Sequence, residues 1–301
     1  MLSKPQITIL ISLIAGNDSL KTISQQTDRS RSWVSTVLST LTKRGFCTKE
    51  RTGNVVRYYP GAAAPIQKLI KAINATPGFD FETFLSGLNL RILLFCAFAP
   101  KTSKLIARNL GTSVKAIQNR ITVLQSRGLL TREKNHQLIS FNKKMYPWIG
   151  WFLQELRLYS DKPVTILWKF EERMLFETRK KEEIAGVLTG FSRYSELNVP
   201  LYLNVFCCYW PKKRLGKEEI FIHSLWEIDH AREIMLALTF YLKHRLNEKK
   251  LEELAREYDC GERLEDLRRI LRQEKTSILS FIKEEELKEF FNDYGLQWNK
   301  K

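Results

Sequence analysis

The sequence contains an internal repeat. Shifted by 83 positions, residues 7–50 align with residues 90–133 without a gap. Apolar positions coincide while surface positions differ, as expected when one folding unit has been duplicated. The chain must therefore fold with two similar units, here named the first copy (residues 1–60) and the second copy (residues 87–145). Ten positions of this alignment are identical: Ile9/Ile92, Leu10/Leu93, Lys21/Lys104, Ile23/Ile106, Ser30/Ser113, Leu41/Leu124, Arg44/Arg127, Gly45/Gly128, Thr48/Thr131 and Glu50/Glu133.

Each copy has the pattern of three short helices followed by a β-hairpin. In the first copy, Ser3, Ser19 and Ser30 precede stretches with helical spacing and are typical helix caps. Gly45 supplies the residue that ends the third helix in a left-handed conformation. Two extended segments follow, joined by the turn residues Thr52-Gly53-Asn54. They cover residues 46–51 and 55–59.

The second copy repeats this order. Thr102 is its predicted cap, Gly128 ends its third helix, and its hairpin turn is predicted near Asn135-His136. The copies are separated by a linker, residues 61–86, with apolar residues at helical spacing between Ile66 and Ile73. This spacing predicts a short amphipathic helix, with core packing and dimer formation as its alternative roles.

The positive charge of the chain is confined to its first half. Residues 1–150 carry 22 Lys and Arg against 6 Asp and Glu, whereas residues 151–301 carry 27 of each class. A polycationic surface of this size attracts polyanions, of which nucleic acid is the commonest partner. The charge therefore predicts that the N-terminal half binds nucleic acid.

Helix order, hairpin and charge together resemble the winged helix-turn-helix domain of bacterial and archaeal transcription regulators. The resemblance covers about half the chain. It implies duplex-DNA binding through the third helix of each copy, with the hairpin as a wing. It is carried by two matching segments: Ser30-Arg31-Ser32-Trp33-Val34-Ser35 with Leu38, Leu41 and Arg44-Gly45-Phe46, and Ser113-Val114-Lys115-Ala116-Ile117-Gln118 with Leu124 and Arg127-Gly128-Leu129.

The third helix of each copy offers polar side chains opposite its apolar stripe. Val34, Leu38 and Leu41 form that stripe in the first copy, and Ile117, Ile121 and Leu124 form it in the second. Side chains opposite a buried stripe can reach base edges and phosphates in a major groove. In the first copy these are Arg31, Ser32, Ser35 and Thr36, and in the second Lys115, Gln118, Asn119 and Thr122. Gln and Asn can bond adenine through two hydrogen bonds, so the second copy has the more specific chemistry.

Flanking residues add to the predicted DNA surface. Arg29 precedes the third helix, and Trp33 at its start is either a core aromatic or a side chain facing the groove. Cations on the two hairpins are placed to contact phosphate or enter a minor groove. They are Lys49, Arg51 and Arg57 in the first copy and Arg132 and Lys134 in the second.

Residues 146–301 are predicted to form a separate α+β domain with a small sheet and a helical C-terminal tail. Strands are expected over residues 164–170, Leu201–Trp210 and Glu219–Leu225, and a helix over Glu182–Tyr194. Residues after Asp229 are predicted to be helical, with caps at Asp229, Asn247 and Thr276. The predicted fold class is thus α+β and mostly helical: two winged-helix domains and then this domain.

Two resemblances bear on the C-terminal domain. Gly190-Phe191-Ser192 before a strand resembles the nucleotidyltransferase fold, but the following strand, Leu201–Trp210, has no carboxylate to hold a metal. The domain also resembles the antitoxin of abortive-infection toxin–antitoxin pairs, through Leu188–Leu197, His223-Ser224-Leu225 and Leu251–Tyr258. We therefore expect no enzymatic activity, no cofactor and no metal.

The function predicted is sequence-specific binding of duplex DNA by a transcription regulator of archaeal type. The alternative is an antitoxin-like subunit that binds a protein partner and contacts DNA secondarily. Homodimer formation and partner binding through the C-terminal domain are left open. No apolar run reaches the ~20 residues of a membrane span, and the five cysteines lack metal-ligand spacing. A cytoplasmic location with reduced thiols is expected.

Overall fold

The computed structural model describes residues 2–132, 137–160, 164–179, 186–272, 274, 282 and 284–296. The chain divides into two compact units, residues 1–162 (the N-terminal unit) and residues 163–301 (the C-terminal unit). Within the described residues the protein is α+β and mostly helical with small antiparallel sheets. The predicted fold class is confirmed.

The first copy has the predicted order of elements. Ser19 Oγ accepts the Thr22 N–H at 3.1 Å and Ser30 Oγ accepts the Trp33 N–H at 3.3 Å, so both serines cap helices as predicted. Gly45 has a φ of +69° and ends the third helix. The elements are α1 (Lys4–Ile14), α2 (Leu20–Thr27), α3 (Arg31–Lys43) and the antiparallel hairpin β1 (Cys47–Thr52) and β2 (Val55–Pro60).

The linker holds the predicted helix, and the second copy follows. Linker helices are α4 (Ala64–Ala75) and the single turn α5 (Phe81–Phe84). Thr102 and Ser113 cap helices of the second copy through their side chains. The predicted turn at Asn135-His136 lies outside the described residues. The second copy comprises α6 (Gly87–Cys96), β3 (Lys101–Thr102), α7 (Ser103–Leu110), α8 (Val114–Ser126), β4 (Leu130–Arg132) and β5 (Leu138–Phe141), with strand order β3-β5-β4.

The N-terminal unit ends with one more helix, α9 (Pro147–Leu158), which packs against α4. The sequence pattern assigned residues from 146 onward to the C-terminal domain, whereas residues 146–162 belong to the N-terminal unit. The reason is burial. Ile149, Phe152 and Leu153 of α9 are withdrawn from water, together with Ile66 and Leu69 of α4.

The C-terminal unit combines a four-stranded antiparallel sheet with helices. Its strand order is β6-β7-β9-β8. The strands are β6 (Thr165–Phe170), β7 (Arg173–Thr178), β8 (Val187–Leu188) and β9 (Phe206–Trp210). The helices are α10 (Lys217–Ser224), α11 (Ala231–His244), α12 (Glu248–Glu257), α13 (Gly261–Leu271) and α14 (Glu284–Asp293).

Three local predictions for this unit were wrong. Glu219–Leu225 is not a strand but lies mostly in α10. Residues Ile220 to Ser224 of this helix are all buried, so the sequence lacks the exposed polar positions that would indicate a helical period. The helix expected over Glu182–Tyr194 is replaced, in its described part, by β8 and a 3₁₀ turn, because Gly190 adopts a left-handed conformation. The strand expected from Leu201 begins only at Phe206, where pairing with β7 starts.

The caps predicted for the C-terminal helices have different outcomes. Asn247 caps α12 as predicted, its side chain accepting the Lys250 N–H at 3.0 Å. His230, not Asp229, is the cap residue of α11, because Glu233 accepts hydrogen bonds from the backbone N–H groups of both. Thr276 lies outside the described residues.

Candidate nucleic-acid interface

The predicted face of α3 is exposed to solvent. Val34, Leu38 and Leu41 are fully buried, which turns the opposite side of the helix outward. Thr36 Oγ1 donates to the Ser32 carbonyl at 3.1 Å, so this hydroxyl is left to accept hydrogen bonds from a ligand. Four predicted residues share the exposed face: Arg31, Ser32, Ser35 and Thr36.

Trp33 lies at the edge of this face. Its side chain is half-buried, so it is neither a fully enclosed core residue nor a freely exposed one. The exposed Arg29 guanidinium lies over the indole, 5.5 Å from the ring centroid. This cation–π contact keeps a positive charge beside the first turn of α3.

The first hairpin presents its predicted cations in two different states. Lys49 and Arg51 are exposed on β1, and Arg51 Nε donates to the Gly53 carbonyl at 3.1 Å. Arg57 on β2 is also exposed, but it forms an ion pair of 2.7 Å with Asp18. The negative charge of Asp18 raises the pKa of Arg57. Asp18 therefore neutralises part of the positive charge that Arg57 could offer to a phosphate.

The predicted face of α8 is exposed in the same way. Ile117, Ile121 and Leu124 are fully buried beneath it. The amide of Gln118 keeps both donor and acceptor capacity, whereas Thr122 Oγ1 donates to the Gln118 carbonyl at 3.1 Å. The exposed set is Lys115, Gln118, Asn119 and Thr122.

A cavity of about 360 Å³ connects α8 to its hairpin. It brings Gln118 and Arg132 together with Lys104, a residue that the sequence prediction missed. Lys104 could have been found, because it is identical to its counterpart Lys21 and is therefore one of the ten identities between the aligned segments. The first turn of α7 also lines the cavity, and helix N-termini favour anions. Two cations, an amide and this turn make a setting suited to phosphate. Lys134 lies outside the described residues.

The C-terminal unit has a buried polar core of a different kind. Thr189 Oγ1 and His223 Nδ1 are 2.7 Å apart, and burial, reinforced by Lys213, holds the pKa of His223 well below its usual range. Tyr194 and Ser224 share a hydrogen bond of 2.7 Å. Thr189, Tyr194 and Ser224 are buried and partnered, an arrangement typical of a structural network, whereas the second ring nitrogen of His223, Nε2, is buried without a hydrogen-bond partner among the described residues.

An acidic cleft of about 290 Å³ lies beside this core. Glu227 Oε1 accepts the Phe191 N–H at 2.9 Å, and burial raises the pKa of its carboxyl well above the usual range. All five cysteines are buried, and none forms a disulfide bond. Across the described ranges, no group of three His, Cys, Asp or Glu side chains is arranged to hold a metal ion.

Two further findings concern membrane spans and similarity to known proteins. Of the helices in the described part, none combines the length and apolar character needed to cross a bilayer. Neither a protein-family model nor a curated protein matches the sequence.

Proposed function

We propose that the N-terminal unit binds duplex DNA through α3 and α8, the two reading helices, and that the protein is a sequence-specific transcription regulator. The observation that carries this proposal is that the positive charge of the chain and the two exposed helix faces lie in the same unit. The whole net charge of +16 lies in the half of the chain that folds into the two copies. The faces of both reading helices are exposed and free of acidic residues over Arg31–Lys43 and Val114–Ser126.

The chemistry of these faces supports groove reading over charge attraction alone. A purely electrostatic partner would need cations only, whereas the exposed face of α8 carries Gln118 and Asn119 beside Lys115. Such amides discriminate between base edges in the major groove. Phosphate contacts from Lys49, Lys104 and Arg132 would fix the register without adding sequence information.

The experiment compares two substitutions on selected and on random duplexes. Gln118→Ala is expected to weaken binding to a duplex selected from random sequence about tenfold or more, because it removes a base contact worth roughly 1–3 kcal/mol. The same substitution is expected to have little effect on binding to random DNA. Lys49→Ala is expected to weaken binding to both duplexes by the same factor, because a phosphate contact is independent of sequence. Lys249→Ala, an exposed site in the C-terminal unit, controls for loss of one charge. Equal losses from Gln118→Ala on both duplexes would contradict base reading.

The C-terminal unit is balanced in charge, and its role stays a prediction: dimer formation, ligand sensing or binding of a protein partner. A stable protein complex that forms without DNA and masks the N-terminal unit would favour the antitoxin-like alternative.

A further inference from the structure

The repeat extends beyond the segment that the sequence comparison revealed. Shifted by the same 83 positions, Ala64–Ala75 coincides with Pro147–Leu158, so α4 and α9 are the same helix of the two copies. Their buried residues also correspond, with Ile66 matching Ile149 and Leu69 matching Phe152. The first copy therefore extends to α4 and the second to α9, so that each copy ends in a fourth helix.

These two helices pack against each other, and they meet at equivalent positions. Lys68 Nζ lies 5.5 Å from the centroid of the Trp151 ring, and residues 68 and 151 are 83 apart. When two copies of a unit associate head to tail, different surfaces meet. When they associate about a two-fold axis, the same surface is used twice, and equivalent residues meet where the axis passes. The contact between Lys68 and Trp151 joins equivalent residues, as expected for association about a two-fold axis.

Further contacts between the copies accompany this pairing of α4 with α9. The chain leaving α9 returns to the first copy, where the Tyr159 hydroxyl donates to the Arg44 carbonyl at 2.6 Å and its ring packs on Phe46 with centroids 4.9 Å apart. The chain leaving α4 packs on α1 of the first copy and also reaches the second copy, where the Phe84 ring is 5.7 Å from the Arg127 guanidinium carbon. Arg44 and Arg127 are equivalent residues. Each exit segment thus reaches the end of the other copy's reading helix, although Tyr159 and Phe84 are not equivalent positions of the repeat.

We infer that the N-terminal unit is an intramolecular pseudo-dimer and that one chain binds two unlike half-sites in inverted orientation. The inference rests on the proposed function. Two-fold-related reading helices meet half-sites that run in opposite directions, as in dimeric helix-turn-helix proteins. A head-to-tail arrangement would require direct repeats. The half-sites are unlike because the readers differ: Ser32, Ser35 and Thr36 occupy the positions of Lys115, Gln118 and Asn119.

The test begins with selection of duplexes by the full chain. The selected site is then compared with a version in which one half-site is reversed, and the stoichiometry is measured by sedimentation. One chain is expected on each duplex. Reversing a half-site is expected to weaken binding about 100-fold or more, because several base contacts are lost and each mismatch alone costs about tenfold.

A gain-of-function variant makes the test sharper. Ser32→Lys, Ser35→Gln and Thr36→Asn together give α3 three of the four exposed polar residues of α8, all except Thr122. This triple variant is expected to prefer a perfect inverted repeat of the half-site that Gln118→Ala weakens. The matched control makes the reverse changes on α8: Lys115→Ser, Gln118→Ser and Asn119→Thr. This control variant is expected to select an inverted repeat of the other half-site.

Three results would overturn the inference while leaving DNA binding in place: selection of direct repeats, two chains on each duplex, or one half-site bound alone. Failure to bind any duplex at low salt would instead overturn the proposed function itself. The two failures are therefore distinguishable.

Discussion

The Tyr159 hydroxyl donates a hydrogen bond of 2.6 Å to the carbonyl of Arg44, the residue that caps the C-terminal end of α3. An equivalent bond exists in the second copy, where the Tyr146 hydroxyl donates at 2.8 Å to the carbonyl of Arg127, which caps α8. The last carbonyls of a helix have no partner within it. Both reading helices are thus anchored at this end by a tyrosine from outside the helix.

Removing one of these hydroxyls should loosen the anchor. Tyr159→Phe is expected to lower the free energy of unfolding of the N-terminal unit by about 1 kcal/mol, the usual net value of such a bond. Urea denaturation measures the change. Tyr202→Phe is the matched control, because Tyr202 is 96% exposed, and it is expected to have no effect. Equal stabilities for the two variants would show that the Tyr159 bond contributes nothing.

Breaking the ion pair between Arg57 and Asp18 should strengthen DNA binding. Asp18→Asn frees the Arg57 guanidinium for phosphate, and we expect the slope of log affinity against log salt to steepen by about 0.9, the contribution of one phosphate contact. Asp28→Asn removes one negative charge from the same copy at an exposed residue whose left-handed conformation Asn tolerates. If both variants have the same salt slope, Arg57 does not contact DNA.

The caps and the buried stripe of α3 could be predicted because they depend on neighbours in sequence. Ser30 directly precedes α3 and caps it by accepting the N–H of Trp33, three residues on, and Val34 and Leu38 share one face of the helix. α10 could not be predicted as a helix, since Ile220 to Ser224 are buried all round and carry no periodic signal. Burial of this kind is imposed by the surrounding fold.

In the candidate site, too, some features depend on neighbours in sequence and others on the tertiary fold. Exposure of Gln118 follows from the local period of α8. Pairing of Arg57 with Asp18 joins residues 39 positions apart, and the Tyr159 bond to Arg44 joins residues 115 apart. Only the three-dimensional packing brings such groups together. The repeat of Lys21 as Lys104 was visible in the sequence, but its place beside Arg132 was not.

Gly190 should tolerate no side chain. A Cβ at this position would lie 1.7 Å from Glu227 Oε1, and the φ of +55° is already unfavourable for other residues. Gly190→Ala is expected to destabilise the C-terminal unit by roughly 2 kcal/mol or more, the sum of backbone strain and the displaced carboxyl. Gly295→Ala has a similar φ of +70° with open space around it, and it measures the strain alone. Equal losses in thermal unfolding would mean that Glu227 moves aside without cost.

The raised pKa of Glu227 makes the C-terminal unit sensitive to pH. Its folded pKa lies above the ordinary value of 4.5, so the folded state binds the proton more tightly and loses stability as pH rises above about 4.5 toward the folded pKa. Glu227→Gln cannot ionise. Its stability relative to wild type is therefore expected to improve with pH, by up to about 1.4 kcal/mol per pH unit within this window.

Denaturation of Glu227→Gln and wild type from pH 4 to pH 8 checks this expectation. Glu253→Gln, at an exposed residue, controls for loss of one negative charge. Parallel curves for Glu227→Gln and wild type would contradict the burial of an acidic carboxyl.

The measurement that tests DNA binding by the N-terminal unit most directly is the affinity of the full chain for a duplex as salt is varied. With about six phosphate contacts or more, log affinity should fall linearly with log salt at a slope of about −5 or steeper. Reading helices that present cations to the groove predict this result. A slope near zero, or no binding at low salt, would contradict it.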